Sequence, residues 1–417
     1  MVPTVVRGVR LLDPATATDR VTDVIVRDGR ATPTDSDTAT GLPAVDGHGC
    51  WLMPGIVDLA ARLREPGATH KATMASELPA ALRAGITTVC LPPDTDPVID
   101  NPAIVARISM IAAAAHGARV AILGAVTQHL AGETLAEMSA LKTAGCVGVS
   151  NAGRPLASAR TARRALEYAS GLGLTLHVQP LEPSLAQGGC AHDGAVALRL
   201  GLPPIPVAAE TVALGQWIAL AEETGAHIHF CRLSSARGVQ LVRDAKARGL
   251  AITADVAAHQ LFLTEEDVLG FDASCHVVPP LRSAADRDAL RAGVVDSTLD
   301  ALCSDHQPHE PDAKVNPFAL TEPGMSTLET LLPLGLQLCD ETPLAPLDLV
   351  RRLSTAPQAI LGLSRPTQGC DWILVDPAAS WRLDTTTLAS RGHNTPFLGR
   401  LFKSRVLRIF STSPTPL

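Results

Sequence analysis

From Met53 onward the chain alternates short apolar segments, rich in β-branched residues, with Ala- and Leu-rich segments of helical spacing. Eight strands are predicted, at Gly55 to Ala60, Thr87 to Leu91, Arg119 to Val126, Gly145 to Ser150, Thr175 to Gln179, His227 to Leu233, Ala251 to Val256 and Leu299 to Ser304. Helical segments lie between them, at Ala72 to Ala84, Arg160 to Ser170, Val212 to Thr224, Ala236 to Arg248 and Ala285 to Val294, and a last helix is predicted around Ser326 to Cys339. This alternation predicts an α/β fold, a (β/α)8 TIM barrel. A doubly wound sheet is the structural rival, but no Gly-x-Gly-x-x-Gly follows a strand.

The two ends of the chain have a different character from the middle. Short β-branched pieces between turn residues fill residues 1–52, and β character returns after about Ser364. We therefore predict that both termini build one small β-sandwich domain. The predicted division is 1–52 and 365–417 for the sandwich and 53–364 for the barrel.

Composition excludes several classes of function. The chain has 35 Lys and Arg against 42 Asp and Glu, a net charge of −7, so no basic field attracts nucleic acid. Nine scattered cysteines, never spaced as Cys-x-x-Cys, argue against a disulfide framework or a thiolate zinc site and favour a reducing cytoplasm. No stretch reaches the roughly 20 uncharged apolar residues of a membrane helix. A soluble, cytoplasmic protein without a membrane partner is expected.

The segment from Met53 to Gly67 enters from a Pro-Gly turn, runs through apolar residues and ends in Arg-Glu-Pro-Gly, which is typical of a buried strand leading to a site. It resembles the opening strand of the dihydroorotases in the amidohydrolase superfamily, whose pattern is Pro-Gly-x-x-Asp-x-His-x-His-x-Arg-Glu-Pro-Gly. The frame is present, but Ala60 and Arg62 stand where the pattern has its two histidines. A barrel between two β-rich ends is also the layout of that family, so the resemblance covers the whole chain.

The resemblance implies further site positions at the carboxyl ends of later strands, where barrel enzymes place their chemistry. Where some dihydroorotases have a metal-bridging carboxylate, a histidine before Glu-Asp-Pro and a second strand-six histidine, this chain has Asn151, Gln179 and Arg232. The family's catalytic aspartate is retained as Asp305. The positions implied to contact substrate are Arg64, which would hold a carboxylate, and Asp94, Val278 and His309.

These substitutions argue against the family's metal centre. Ala60 has no donor atom, a guanidinium cannot ligate, and the amide oxygens of Asn151 and Gln179 are poor zinc ligands. Arg62 and Arg232 would each oppose a nearby cation, because two unit charges 4 Å apart interact by about 4 kcal/mol at an effective dielectric of 20. We therefore predict no metal and no other cofactor, and an ion pair from Arg62 or Arg232 to Asp305.

Other interpretations remain open. Asp305 and His309 are also explained by a structural role as inherited scaffold, and His306 and His309 would make a lone metal site with His229 or His259. The arginines at 62, 64, 232 and 282 would form an anion pocket if they converge. The pair Ser234-Ser235 has no His and Asp partners at a recognisable spacing, so a serine nucleophile is not expected.

Loss of the expected ligands on four strands predicts a catalytically inactive, dihydroorotase-like pseudoenzyme. The resemblance is greatest to the non-catalytic dihydroorotase-like subunit of bacterial aspartate transcarbamoylase, an assembly subunit in pyrimidine biosynthesis. It implies the catalytic chains of that enzyme as partners, with a homodimer inside a larger hetero-oligomer. The alternative is an active enzyme, either a metal-dependent dihydroorotase, with zinc, or another cyclic amidohydrolase with unusual ligands.

Overall fold

The computed structural model describes residues 2–34, 41–363 and 370–411. The strands are β1 Thr4–Asp13, β2 Thr18–Arg27, β3 Arg30–Thr34, β4 Ala44–Asp46, β5 Trp51–Pro54, β6 Ile56–Asp58, β7 Ile86–Leu91, β8 Arg119–Ala125, β9 Gly148–Ser150, β10 Thr175–Val178, β11 Ala191–His192, β12 Pro204–Ile205, β13 Ile228–Phe230, β14 Ile252–Ala257, β15 Ala301–Cys303, β16 Trp372–Arg382 and β17 Leu401–Phe410. The helices are α1 Met74–Arg83, α2 Pro102–Ala114, α3 Met138–Thr143, α4 Ala159–Gly171, α5 Pro183–Ala186, α6 Ala195–Leu200, α7 Ala208–Thr224, α8 Ala236–Ala247, α9 Ala284–Val295, α10 Leu331–Glu341, α11 Pro346–Leu353 and α12 Thr355–Ile360.

Eight parallel strands form the barrel, in the order β15-β14-β13-β10-β9-β8-β7-β6. The first and last strands meet through a parallel bridge between Ala61 and His306, in which His306 N donates to Ala60 O at 3.1 Å and Arg62 N to His306 O at 2.8 Å. Each predicted strand overlaps one of these eight, and the predicted TIM barrel is confirmed. The bridge also brings the end of the first strand beside the end of the eighth.

Burial explains why these segments form strands and their neighbours form helices. Every residue of β7 is buried, as expected for a parallel strand covered on both faces. In α4 the buried residues are Ala162, Ala165, Leu166 and Ala169, one helical face, and the Ser158 side chain caps the first turn by accepting from Thr161 N at 3.1 Å. The barrel helices thus bury one face against the strands.

Both ends of the chain contribute to a seven-stranded sheet, in which β5 pairs with β16 and β16 with β17, while β1 pairs with β2, β4 and β5. The predicted β-sandwich domain beside the barrel is confirmed. The predicted boundaries stay predictions at the residue level. The one between 52 and 53 falls inside β5, and the one between 364 and 365 lies outside the described residues.

Six of the nine cysteines are buried. Across the described parts of the chain, no helix has the length and apolar character needed to cross a membrane.

Candidate functional site

Asp305 lies just beyond the end of β15, at the carboxyl-terminal face of the barrel. Its side chain is 2% exposed, and its Oδ1 lies 3.4 Å from Arg232 Nε and 3.8 Å from Arg62 Nη1. The predicted ion pair is therefore present, and both arginines take part in it. Gln307 Nε2 donates to the same oxygen at 3.1 Å. Asp305 has a φ of 50°, in the left-handed region, so the backbone is held in an uncommon conformation where the side chain enters the site.

Arg62 joins two carboxylates. Its Nε donates to Asp94 Oδ2 at 2.7 Å, while Nη1 faces Asp305. Burial acts to raise the pKa of Asp94, but the charge and hydrogen bond of Arg62 outweigh burial and lower it. Asp94 is therefore a charged partner that orients Arg62 between the ends of the first and second barrel strands.

Arg232 follows β13 and has a φ of 56°. Its backbone N donates to Asp255 Oδ1 at 2.5 Å, and its Nη2 donates to Gln179 Oε1 at 2.5 Å. Gln179 in turn donates from Nε2 to Val278 O at 3.4 Å. Burial opposes the charge of Arg232, but Asp305 overcomes this and the pKa of the guanidinium is raised. Arg232 is thus held from three sides with its charge directed at Asp305.

Ala60 and Asn151 add no charged group to this cluster. The Ala60 side chain is 5% exposed and packs with Val57 and Cys90 in an apolar layer. Asn151 accepts from Thr127 Oγ1 at 2.8 Å and donates to Arg154 O at 3.1 Å, so its amide connects local loops. The ends of the first and fourth strands therefore lack the histidine and carboxylate that the resemblance led us to look for.

Arg64 borders a small cavity but is partly engaged by the loop after β15. Its Nε donates to Pro308 O at 3.0 Å, and its Nη2 lies 2.9 Å from His309 Nε2. Burial, assisted by the charge of Arg62, lowers the pKa of Arg64 to about 10. Arg62, Arg64 and Asp94 line this cavity of about 120 Å³ together with Leu63, Pro66, Ala68, Leu91, Thr95 and Asp96. This cavity opens beside the Asp305 cluster.

His309 belongs to a polar network beneath that loop. It is 4% exposed, and its Nδ1 lies 3.1 Å from Lys71 Nζ. Lys71 also pairs with Glu310 at 3.0 Å and Glu322 at 2.9 Å. Burial, followed by the charges of Arg64 and Lys71, lowers the pKa of His309 to about 3, so the imidazole is neutral at neutral pH. These contacts give His309 a role in fixing the loop.

The residues at the family's metal positions do not fit a divalent cation. Of those strand ends only Asp305 offers an anionic oxygen, and two guanidinium groups already face it.

A different group, His177, His229 and Cys231, has ligand atoms within 4.8 Å of one another. His177 Nε2 has no hydrogen-bond partner, but both ring nitrogens of His229 are engaged, by Thr253 at 3.0 Å and Asp255 at 2.9 Å. Burial also raises the pKa of the Cys231 thiol. We assign no metal to this group.

The structure contradicts two of the alternative sites that the sequence left open, because one proposed member of each site lies elsewhere. Arg282 does not join the other arginines, because its Nε donates to Ser234 Oγ at 3.1 Å and its Nη1 to Ile205 O at 2.8 Å. His306 is also committed elsewhere, since its Nε2 lies 2.9 Å from Glu77 Oε2 and its Nδ1 accepts from Thr327 N at 3.1 Å. The anion pocket of four arginines and the metal site with His306 are therefore not formed. Ser234 and Ser235 donate to Glu210, in agreement with a structural role.

Two further buried carboxylates support the site: Asp255, which sequence reasoning missed, and Asp58, which the family pattern included without a role. Asp255, fully buried on β14, accepts from Arg232 N and pairs with His229. Asp58, at the end of β6, accepts from Ser304 N at 2.8 Å, and burial raises its pKa to about 6. For Asp255 the available signal was an aspartate in the strand segment Ile252 to Ala257, where every other residue except Thr253 is apolar, because a carboxylate in such a segment needs internal partners.

Comparisons with known proteins agree with this architecture. A model of the family described as Dihydro-orotase-like matches residues 49–237. The chain is 43% identical over 405 residues to the dihydroorotase-like protein of Pseudomonas putida, covering 96% of this chain and 95% of the relative. It is 40% identical over 408 residues to the dihydroorotase of Geobacter sp. (strain M21), covering 96% of both. Among solved structures, the L-hydantoinase (dihydropyrimidinase) from Arthrobacter aurescens is similar in fold, with a TM-score of 0.86, 20% identity and coverage of 99% and 95%.

These findings correct one prediction. The chain was expected to be a catalytically inactive pseudoenzyme, but relatives of nearly full coverage are named dihydroorotase, and solved structures of the same fold are hydantoinases. The prediction rested on the missing metal ligands at the ends of four strands, and the loss of those ligands does not by itself establish the loss of activity. On sequence similarity over almost its entire length, the chain belongs to the dihydroorotase-like family.

Proposed function

We propose that this chain is a cyclic amidohydrolase of the dihydroorotase type with an unusual set of site residues. The observation that carries the proposal is Asp305, a carboxylate at the end of the eighth strand whose Oδ1 faces two guanidinium groups at 3.4 and 3.8 Å. This arrangement places a proton acceptor and concentrated positive charge at one point of the barrel face. Both are needed when water attacks an amide carbonyl.

In the proposed reaction, Asp305 takes a proton from a water molecule as the water oxygen bonds to the carbonyl carbon of the ring. The guanidinium groups of Arg62 and Arg232 donate to the oxyanion that develops. The ring C–N bond then breaks, and the nitrogen leaves with the proton held by Asp305. Water has been added across one amide bond, giving an open-chain acid. Asp94 and Gln179 act as positioning residues, because they hold the two arginines at 2.7 and 2.5 Å.

The cavity beside the cluster favours a ring that carries an acidic group. Arg62, Arg64 and Asp94 all line it, and Asp94 pairs with Arg62, so Arg64 supplies the net positive charge that favours a carboxylate. A carboxylated cyclic amide such as dihydroorotate is the substrate that we infer. No cofactor is included in this proposal, because the charges in the mechanism come from the chain's own side chains.

The direct test is turnover of dihydroorotate by the purified chain, followed as ring absorbance in both directions with the metal content measured on the same sample. We expect Asp305→Asn to reduce kcat/KM by about 10²–10⁴-fold, the usual contribution of a general base. Asp312→Asn, on an exposed turn of the same loop, is the matched control and should retain the wild-type rate. Absence of turnover above the uncatalysed rate, or an unchanged rate in Asp305→Asn, would contradict the proposal. A rate that disappears on chelation and returns with zinc would replace the arginine mechanism by a metal-dependent one.

We further propose that the chain acts in the cytoplasm, in pyrimidine biosynthesis, bound to the catalytic chains of aspartate transcarbamoylase and as a dimer within that assembly. The feature that supports a partner surface is the loop after β15. Val315 is 74% exposed and Leu320 is 71% exposed, although Phe318 between them is 3% exposed and anchors the loop. Two ordered apolar side chains in water beside the site favour burial against another chain.

Size-exclusion chromatography with light scattering tests this association. Mixing the chain with purified aspartate transcarbamoylase catalytic chains should give one larger species, and the double variant Val315→Asp, Leu320→Asp should weaken its formation by at least about tenfold in Kd. Leu198→Asp, an 87% exposed position on α6, is the control. Separate elution of the two wild-type proteins would refute the partner, and equal loss in the control would refute the surface.

A further inference from the structure

A cavity of about 200 Å³ lies between the barrel and the sandwich domain, away from the Asp305 cluster. It is lined by Arg83, Ala84, Glu329, Leu332, Pro333, Trp381, Thr387, Ser404, Arg405 and Val406. A cavity of this size accommodates a small metabolite. Its apolar walls come from α10, β16 and β17, and its charged groups come from three different elements.

Glu329, at this cavity, has one side-chain oxygen without a hydrogen-bond partner. The residue is 9% exposed, and its Oε1 accepts from Ala389 N at 2.7 Å and from Ser390 N at 3.0 Å. Its Oε2 is buried and has no hydrogen-bond partner. A buried carboxylate oxygen without a donor costs free energy, so this atom is suited to a donor that arrives with a ligand.

Two arginines bring the opposite charge. Arg83, the last residue of α1, and Arg405, on β17, line the cavity and are exposed to solvent. Within the described residues, neither guanidinium group has an intramolecular ion pair or hydrogen bond. Most arginines near carboxylates in this chain are paired, for example Arg119 with Asp371 at 2.8 Å. The lining of the cavity therefore combines two uncommitted guanidinium groups, one carboxylate oxygen without a partner and apolar side chains.

We propose that this cavity binds a small zwitterion, a primary amine and a carboxylate joined by an apolar chain. The ammonium group donates to Glu329 Oε2, the chain lies against Trp381 and Leu332, and the carboxylate is held by Arg83 and Arg405. Opposite charges at two points, with apolar contact between them, select a molecule that carries both groups over one that carries either alone. This site is independent of the proposed hydrolase activity and shares no residue with it.

Isothermal titration calorimetry with defined probes tests the proposal. The probes are 4-aminobutanoate and 6-aminohexanoate, which differ in length, together with hexylamine and hexanoate, which each lack one charge. We expect one of the two amino acids to bind at least tenfold more tightly than both single-charge probes. Glu329→Gln and the double variant Arg83→Gln, Arg405→Gln should each weaken that binding by at least tenfold.

The variants are chosen so that a folding defect is distinguishable from a lost contact. Glutamine keeps an oxygen that accepts from Ala389 N and Ser390 N, so Glu329→Gln should retain the wild-type circular dichroism spectrum and cavity walls. Arg107→Gln, at an exposed arginine on α2, controls for the loss of surface charge. Failure of both amino acids to bind at about 10 mM, or equal affinity for hexylamine and 6-aminohexanoate, overturns the proposal. Binding that Glu329→Gln leaves unchanged also overturns it.

Discussion

Asp305 depends on two guanidinium groups for its place in a buried site. At 3.4 Å and an effective dielectric of 20, the attraction between Arg232 and Asp305 is about 5 kcal/mol. Removing each ion from water costs several kcal/mol, so the cluster contributes little net stability. The cluster instead provides a fixed geometry, because Gln179, Asp94 and Asp255 hold the two arginines in place before any ligand binds. Such preorganisation is what an electrostatic catalyst needs.

A second buried pair, Glu77 with His306, is structural and gives the molecule a pH dependence. Glu77 Oε2 lies 2.9 Å from His306 Nε2 and accepts from Ser390 Oγ at 2.6 Å. Burial acts to raise the pKa of Glu77, but the hydrogen bonds that the carboxylate accepts, first from His306 and then from Ser390 Oγ and Arg391 N, lower it to about 2, from an ordinary 4.5. Because the folded pKa is below the unfolded one, the carboxylate stabilises the fold above pH 4.5, and this contribution is lost as the pH falls towards 2.

We therefore predict that Glu77→Gln lowers the free energy of unfolding by about 3 kcal/mol at pH 7, the equivalent of the pKa shift. The difference from the wild type should shrink as the pH falls from 4.5 towards 2. Urea unfolding of both proteins across this range measures it. Glu133→Gln, at an exposed carboxylate, should show no difference at any pH. A deficit in Glu77→Gln that does not change with pH would contradict the ionic account.

Among the elements, α1 lies against the segment that leads into β8, and this contact depends on a close approach of two backbones. Ala118 N donates to Leu78 O at 3.1 Å, and a Cβ on Gly117 would lie 2.6 Å from that carbonyl oxygen. Gly215, on the exposed face of α7, has open space around it. The two glycines therefore have opposite significance, one required by packing and the other only weakening its helix.

We predict that Gly117→Ala destabilises the protein by about 1–3 kcal/mol, the usual cost of overpacking. Gly215→Ala should stabilise it by about 1 kcal/mol, through helix propensity. Denaturant unfolding of both variants measures these effects. Because the same substitution is expected to change the free energy of unfolding in opposite directions at the two positions, the pair separates the effect of packing from that of helix propensity. A Gly117→Ala variant that is stabilised or unchanged would refute the close approach.

The strands that the sequence predicted correctly are those whose apolar pattern is visible within one short segment. All eight barrel strands are apolar, β-branched segments between turns, so burial on both faces is visible in the residues themselves. The two-residue strands Ala191–His192 and Pro204–Ile205 were missed, because they pair only with each other and carry no periodicity. Pairing of Arg62 and Arg232 with Asp305 was predictable, since strand ends converge in a barrel. The hydrogen-bond partners of Arg282 were not predictable, because Ser234 and Ile205 bind its side chain from elements far apart in sequence.

At the scale of the whole molecule, the sandwich and the barrel are joined where a sandwich strand is followed almost directly by a barrel strand. β5 pairs with β16 in the sandwich, and after Gly55 the chain continues directly into β6, the first strand of the barrel. Gly55 N donates to Asp371 O at 2.8 Å, and Arg119, at the start of β8, pairs with the Asp371 side chain at 2.8 Å. Loss of the sandwich therefore removes the support of the strand that closes the barrel against β15.

This connection predicts a single cooperative unfolding transition for both domains. Trp217 lies on α7 beside the barrel, and Trp372 is 3% exposed in the sandwich, so the fluorescence of variants that keep Trp217 or Trp372 as the single one of the chain's four tryptophans reports each domain separately. Their urea unfolding curves should have the same midpoint. Arg119→Met should lower the free energy of unfolding by about 1 kcal/mol in both curves, because the ion pair is partly exposed, whereas Arg107→Met on α2 should not. Two separated midpoints, or an Arg119→Met effect confined to one reporter, would mean that the terminal sheet folds independently of the barrel that it encloses in sequence.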